Sequence, residues 1–155
     1  MWLWDINHLY MILEQLKYPI GKFKVPQTIS ASDRTRYIND LELLPHQIKN
    51  AVSGLSDGQL DTPYRPQGWT IRQVVHHLPD SHLNSYIRFK WTLTEDQPLI
   101  KAYQEDLWAE LPDGKEAPVE LSLSLLESLH IRWVWLLRSL KPEDWKRCFI
   151  HPETN

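Results

Sequence analysis

The chain has 155 residues, a length that suits one domain, and its 42% apolar and 24% charged residues exclude a disordered tail or a fibrous repeat. A net charge of −3 gives no electrostatic footprint for nucleic acid, and no apolar run approaches the roughly 18–20 residues that a membrane span requires. The single cysteine, Cys148, excludes an internal disulfide framework and fits a reducing compartment.

In chain order, Met1 to Glu14 is apolar but interrupted by Asp5 and Glu14, with no basic leading region and no small-residue cleavage site. It does not read as a signal peptide. Residues 1–16 are expected to be an N-terminal extension, a short helix or a loosely packed arm, and 17–155 the domain. Pro19, Gly21 and Pro26 make residues 17–27 an extended arm. Ser30 or Ser32 then offers an N-cap. Tyr37, Ile38, Leu41, Leu44, Ile48, Val52 and Leu55 recur at three- and four-residue spacing, which predicts a helix over about 33–54, kinked at Pro45 and ended by Gly54. Residues 55–69 read as a linker. Thr70 is a natural N-cap with Gln73 at the capping-box position, opening a helix over about 71–93 that Pro79 should bend. A long loop follows, with a helical turn around Gln104–Leu111 that carries Trp108; loops of this length are often functional. Ser122 is expected to cap a helix of about 123–140, with Leu123, Leu126, Leu129, Trp133, Leu136 and Leu137 as its stripe. Pro142, Glu143 and Asp144 suit a short helix over 142–147. The remainder is non-helical. The pattern is all-α, a helix bundle with long connections.

The helix from Ile71 carries the chemistry. At about 100° per residue, Ile71, Val74, Val75, Leu78, His82, Ser85, Tyr86, Phe89 and Leu93 share one direction and form the core face. His77, Ser81, Asn84 and Arg88, at i, i+4, i+7 and i+11, share another. Such a row suits the wall of a polar pocket or a solvated surface. A neutral imidazole is the commonest metal ligand, yet a catalytic zinc needs about three protein ligands and an open position. His76 and His77 point about 100° apart and cannot chelate one ion together. His82 and His130 read as core histidines bonded to neighbours, His8 and His46 as surface residues, and His151 as part of the terminal loop. Cys148, beside Lys146 and Arg147, reads as a half-buried inert thiol. Most of the eight tryptophans are core material, with Trp91 and Trp135 as candidates for facing a partner.

The stretch Asp61-Thr-Pro-Tyr-Arg-Pro-Gln-Gly-Trp-Thr-Ile-Arg-Gln-Val-Val-His-His-Leu-Pro-Asp-Ser-His-Leu-Asn-Ser-Tyr-Ile-Arg-Phe-Lys resembles the YfiT-type metal-dependent hydrolases of the DinB/YfiT-like superfamily. The likeness extends to Tyr18-Pro-Ile-Gly, to Leu125-Leu-Glu-Ser-Leu-His-Ile-Arg-Trp and to Phe149-Ile-His-Pro-Glu-Thr, covering about residues 17–155. The resemblance implies a four-helix bundle, a divalent metal (zinc or nickel) held by three histidines, and a homodimer in the bacterial cytoplasm acting on a small-molecule substrate. One ligand is the second His of Val-Val-His-His-Leu, here His77. The other two belong to a His-x-x-x-His pair on a last helix that follows the His-Pro-Glu-Thr turn. The sequence contains no such pair, so the bundle is expected here with its fourth helix missing and the chain alone to be inactive. Pro79 stands where the family carries a small residue. Some relatives transfer a low-molecular-weight thiol such as bacillithiol to electrophiles. The metal then lowers the pKa of the thiol, or in a hydrolase that of water. By the same resemblance Ser81, Asn84 and Arg88 contact substrate, and Arg88 pairs with a carboxylate of the thiol cofactor. The alternative is a non-catalytic helical remnant, or a dimeric binding module without metal.

Overall fold

The computed structural model describes residue 11 and residues 13–153. Most of the expected N-terminal extension, with His8, therefore lies outside the described residues; residues 13–17 are helical. Three long helices dominate: α1 (Ala31–Val52), α3 (Ile71–Thr94) and α6 (Val119–Ser139). Between them sit three short ones, α2 (Asp57–Leu60), α4 (Glu105–Ala109) and α5 (Pro112–Glu116), and a 3₁₀ turn follows at Asp144–Lys146. No strand forms among the described residues; two isolated bridges, Pro63 with Thr70 and Leu99 with Ile150, pin loops.

Local chemistry sets the helix ends. The Ser30 hydroxyl accepts from the Asp33 N–H while the Asp33 carboxylate accepts from the Ser30 N–H, so the capping box starts α1 at Ala31. Gly54, at φ +77°, turns the chain after the helix. Thr70 and Gln73 form the same reciprocal box at the start of α3. The expected linker is not featureless, because Ser56 and Gln59 form a third box and fold Asp57–Leu60 into a helical turn. Pro45 and Pro79 both lie inside helices that run on past them.

The third long helix begins earlier than its sequence suggests. Pro118 occupies its N-cap position, and Ser122 lies inside the first turn. Ser122 does not cap because its hydroxyl is engaged by His76 of α3.

The helix α6 packs against both α1 and α3. One core cluster joins Ile38 of α1, Tyr86 of α3 and Leu129, Trp133, Val134 and Leu137 of α6. A second joins Leu60, Val75 and Val119 near the start of α3. Each fully buried aliphatic or aromatic side chain of this kind stabilises the fold by about 1.5–3 kcal/mol. The predicted core face of α3 is only part of what is covered. Arg72, Gln73, His76 and Pro79, on a neighbouring face, are also buried, because α4 and α5 fold back over them. Among the described residues, no helix is long and apolar enough to cross a membrane.

Candidate functional site on the third helix

The start of α3 is held by polar ties to three other elements. The Arg72 guanidinium, buried, donates to Asp61 and Asp57, both at 2.7 Å, and to the Ala117 carbonyl at 3.2 Å. Gln73 donates to the Ala109 carbonyl at 2.8 Å and to Glu110 at 3.1 Å. His76 Nε2–H donates to the Ala117 carbonyl at 3.0 Å, which leaves Nδ1 as the acceptor for the Ser122 hydroxyl at 2.7 Å. Both nitrogens of His76 are therefore occupied, and its ring is turned away from that of His77.

His77 is half-buried and packs against Trp69, with ring centroids 4.7 Å apart and planes tilted by 54°. The tight turn before α3 places Trp69 there. Tyr64 N–H donates to the Trp69 carbonyl, and Ile71 N–H to the Thr62 carbonyl. The turn closes through Gly68, where a Cβ would stand 2.6 Å from Arg65 Cγ and 3.2 Å from the Arg65 carbonyl oxygen, so a larger residue would force it open.

The histidines sort sharply by their partners. His76 and His130 use both ring nitrogens. His82 uses Nδ1, toward His130 Nε2 at 2.6 Å. His46 faces Asn50, and His151 Nδ1 accepts from the Glu153 N–H. His77 is the one histidine among the described residues with neither ring nitrogen in a hydrogen bond. Burial in the core, then the neighbouring His130 and His77, lowers the pKa of His82 to about 4.

The remaining row residues lie along the same helix with different partners. Asn84 turns back to donate to the Asp80 carbonyl at 2.9 Å, within its own helix. Ser81 lends its backbone carbonyl to the Ser85 hydroxyl, and its own side chain faces the Tyr103 phenol. Arg88 donates through Nη2 to the Lys101 carbonyl at 3.0 Å. Two residues of this surface were not singled out from the sequence. Asp80 is half-buried beside His77 and His76, and its carboxyl is pushed up by burial and by Asp113. Tyr103 comes from the long connection after α3, packs against Trp108 with ring centroids 4.9 Å apart and planes tilted by 58°, and has its phenol pushed up by burial. Asp80 was legible as an i+3 neighbour of His77; Tyr103 had no local signal, since only the path of the connection brings it to α3.

Among the described residues there is no group of three His, Cys, Asp or Glu side chains able to hold a metal ion. Cys148 is exposed rather than half-buried. Arg147 does not serve it, because its guanidinium donates to the Thr92 and Glu95 carbonyls.

Comparison with known proteins agrees with this architecture. A family model described as the DinB superfamily matches residues 40–155. A Bacillus cereus (strain G9842) protein named "Putative metal-dependent hydrolase" is 54% identical over 142 residues, covering 92% of this chain and 82% of that protein. The "Putative metal-dependent hydrolase YfiT" of Bacillus subtilis (strain 168) is 53% identical over 139 residues, covering 90% of this chain and 78% of that protein. The solved structure of Bacillus subtilis YfiT, described as a probable metal-dependent hydrolase with an unusual four-helix bundle topology, superposes with a TM-score of 0.88 over 90% of this chain and 80% of that one.

Proposed function

The chain belongs to the DinB superfamily, as a homologue of YfiT, and from that premise we propose that it serves a metal-dependent hydrolase or thiol S-transferase reaction of the bacterial cytoplasm, with His77 as one metal ligand. The observation that carries this is the state of His77. Every other described histidine has a ring nitrogen committed to a hydrogen bond, whereas His77 keeps both free and is oriented by Trp69. A ligand histidine needs such a free nitrogen.

The described donor set does not fit a complete centre. A catalytic zinc or nickel requires about three protein ligands, and these residues supply one. The other ligands would come from outside them, and turnover is not expected from the described residues alone. Ser81, Asn84 and Arg88 are proposed as the substrate-contacting row. Arg88 is the cation that would meet a substrate carboxylate, fixed in place by the Lys101 carbonyl.

One observation favours association as well. Leu121, Leu125, Ile131 and Trp135 form an exposed apolar row along α6, with Ile131 63% and Trp135 78% accessible. This supports a homodimer, or a binding module without metal should His77 prove idle. Elemental analysis of a size-exclusion peak separates the readings. About one zinc or nickel per chain, lost in His77→Ala, would mean that the missing ligands are supplied from outside the described residues, and would sustain the enzyme reading. A metal-free dimer whose composition His77→Ala leaves unchanged would replace the enzyme reading with the binding module.

A further inference from the structure

The apolar row of α6 has two features that exposure alone does not describe. Between Leu121, Leu125, Ile131 and Trp135, on the same exposed face, stand the small side chains of Ser124 and Ser128. The flanks of the row are already tied: Arg138 donates to Glu42 of α1 at 2.6 and 2.8 Å, and the Arg132 guanidinium lies 5.9 Å from the centre of the Tyr86 ring of α3. The ionic side chains of α6 are also ordered by sign. Glu120 and Glu127 lie in its first half, Arg132 and Arg138 in its second, and all four are exposed. The helix dipole favours that order only within the terminal turns, so it does not account for Glu127 and Arg132.

We infer that this face seats a second copy of the chain, the two α6 helices crossing antiparallel about a twofold axis at Ser128. This rests on the homodimer reading, to which it adds a face and an orientation. A twofold interface uses the same patch on both copies, so the patch must complement itself. Antiparallel crossing meets that condition in charge, because it lays the acidic half of each helix along the basic half of the other. Parallel pairing would set Glu beside Glu and Arg beside Arg. Shape agrees. Leu121 and Trp135 each stand seven residues from Ser128, about 10 Å along the axis, so the indole of one copy comes level with Leu121 of the other. The serines at the crossing let the two helices approach closely. A cavity of about 540 Å³ opens beside Trp135 between α1 and α6, with Pro45, Ile131 and Val134 in its lining, and the leucines of the second copy arrive over its mouth. A further helix of the same chain would not serve here. The apolar groove between α1 and α3, lined by Ile38, Leu41 and Phe89, reaches α6 at Leu137, about 200° round the helix from Trp135. A helix that closed the bundle there would leave the outer row in solvent.

The test replaces Cys148 with serine and then adds one cysteine at a time on α6. The parent is expected to sediment as a dimer. Under mild oxidation Ser128→Cys is expected to give a disulfide-linked dimer, since the axis brings its two copies together. Ser139→Cys, on the same exposed face, is expected not to link, because antiparallel crossing holds its two copies about 33 Å apart. Trp135→Ala alters an exposed side chain, so the fold persists, and it should weaken the dimer at least about thirtyfold, the effect of losing an aromatic anchor. Ser139→Cys linking as readily as Ser128→Cys would mean parallel pairing and would overturn the inference. A dimer that neither cysteine links and that Trp135→Ala leaves intact would overturn it too, while keeping the homodimer reading on another face. A parent that sediments as a monomer at high micromolar concentration would remove both.

Discussion

His82 Nδ1 lies 2.6 Å from His130 Nε2, and the other nitrogen of His130 faces the Leu41 carbonyl at 2.5 Å. The carbonyl can only accept, so His130 carries its proton on Nδ1 and leaves Nε2 bare. His82 must then donate from Nδ1, and its own Nε2 is bare in turn. A single chain of hydrogen bonds thus ties α3 to α6 and α6 to α1, with the Trp133 ring set edge-on against both imidazoles. Burial of both rings favours the neutral pair, with a single proton between the two facing nitrogens.

That preference gives the fold an acid limit. Burial lowers the pKa of both His130 and His82, the latter to about 4. A group whose folded pKa lies below its unfolded value binds fewer protons when folded. Stability is therefore full above the unfolded pKa near 6.5 and is lost as pH falls toward 4. The neighbouring groups do not reverse the sign: His77 and His130 repel a proton on His82, while Glu127, Glu42 and His46 line the cavity beside His130 on its α1 side. Urea unfolding at pH 7.5 and pH 5.0 should show a loss of about 1–2 kcal/mol, reduced by solvent screening of the half-exposed His82. A midpoint that is flat across this interval would contradict the neutral relay.

His130 is 1% exposed and sits where the three long helices meet. Replacing it with alanine removes two hydrogen bonds, strands the His82 N–H and opens a cavity beside Trp133. His130→Ala should destabilise the chain by about 3–5 kcal/mol, measured as a shift in the denaturant midpoint. His46→Ala, on the exposed rim of the same cavity, should change it by less than about 0.5 kcal/mol.

Arg72 is the buried member of a three-way clamp, joined to Asp57, Asp61 and the Ala117 carbonyl. Its two carboxylates are exposed, so either can return to water at small cost, whereas the guanidinium cannot. Arg72→Lys keeps the charge but loses the planar fork that reaches three acceptors, and should cost about 1–2 kcal/mol. Asp57→Asn should cost less than about 1 kcal/mol. Thermal denaturation of the two variants checks the order; an Asp57 effect equal to that of Arg72→Lys would mean that the ion pair, and not the fork, holds the turn.

What the sequence made legible was what local chemistry decides. The Thr70–Gln73 box, the Ser30 cap, the helical turn carrying Trp108 and the reading of His82 and His130 as bonded core histidines all depend on spacing or on a residue's place on a helix wheel. The misreadings have a common cause. Ser122 looked like a cap because its partner, His76, is 46 positions away. The burial of Arg72 and Gln73 had no sequence signal, because the short helices that cover them come from the loop between the long ones. Tyr103 was invisible for the same reason. The row His77, Ser81, Asn84 and Arg88 was correctly placed on α3, but periodicity could not show that Asn84 spends its amide on its own helix or that Arg88 is tied to the Lys101 carbonyl.

The adjacent pair His76 and His77 offers the sharpest separation of structure from function. His76 has both nitrogens bonded to the α5–α6 junction and is buried. His76→Ala strands the Ser122 hydroxyl and leaves the Ala117 carbonyl with Arg72 as its donor, and together with the cavity it opens should cost about 2–4 kcal/mol. His77 touches Trp69 and makes no hydrogen bond among the described residues, so His77→Ala should lower stability by less than about 1 kcal/mol. Metal binding should respond in the opposite order. Zinc affinity, measured by competition with a chromogenic chelator, should fall at least about tenfold in His77→Ala, since ligand removal reaches the metal directly. In a folded His76→Ala chain it should change only through the packing of α3. Stripping the metal from the parent with a chelator should leave the thermal midpoint within a degree or two of its starting value (about 0.5 kcal/mol or less), because the described contacts that hold α3 in place involve Arg72, Gln73, His76 and His82 and not His77. A chain that unfolds on chelation, or whose zinc affinity follows His76 and not His77, would move the metal away from this face of the helix.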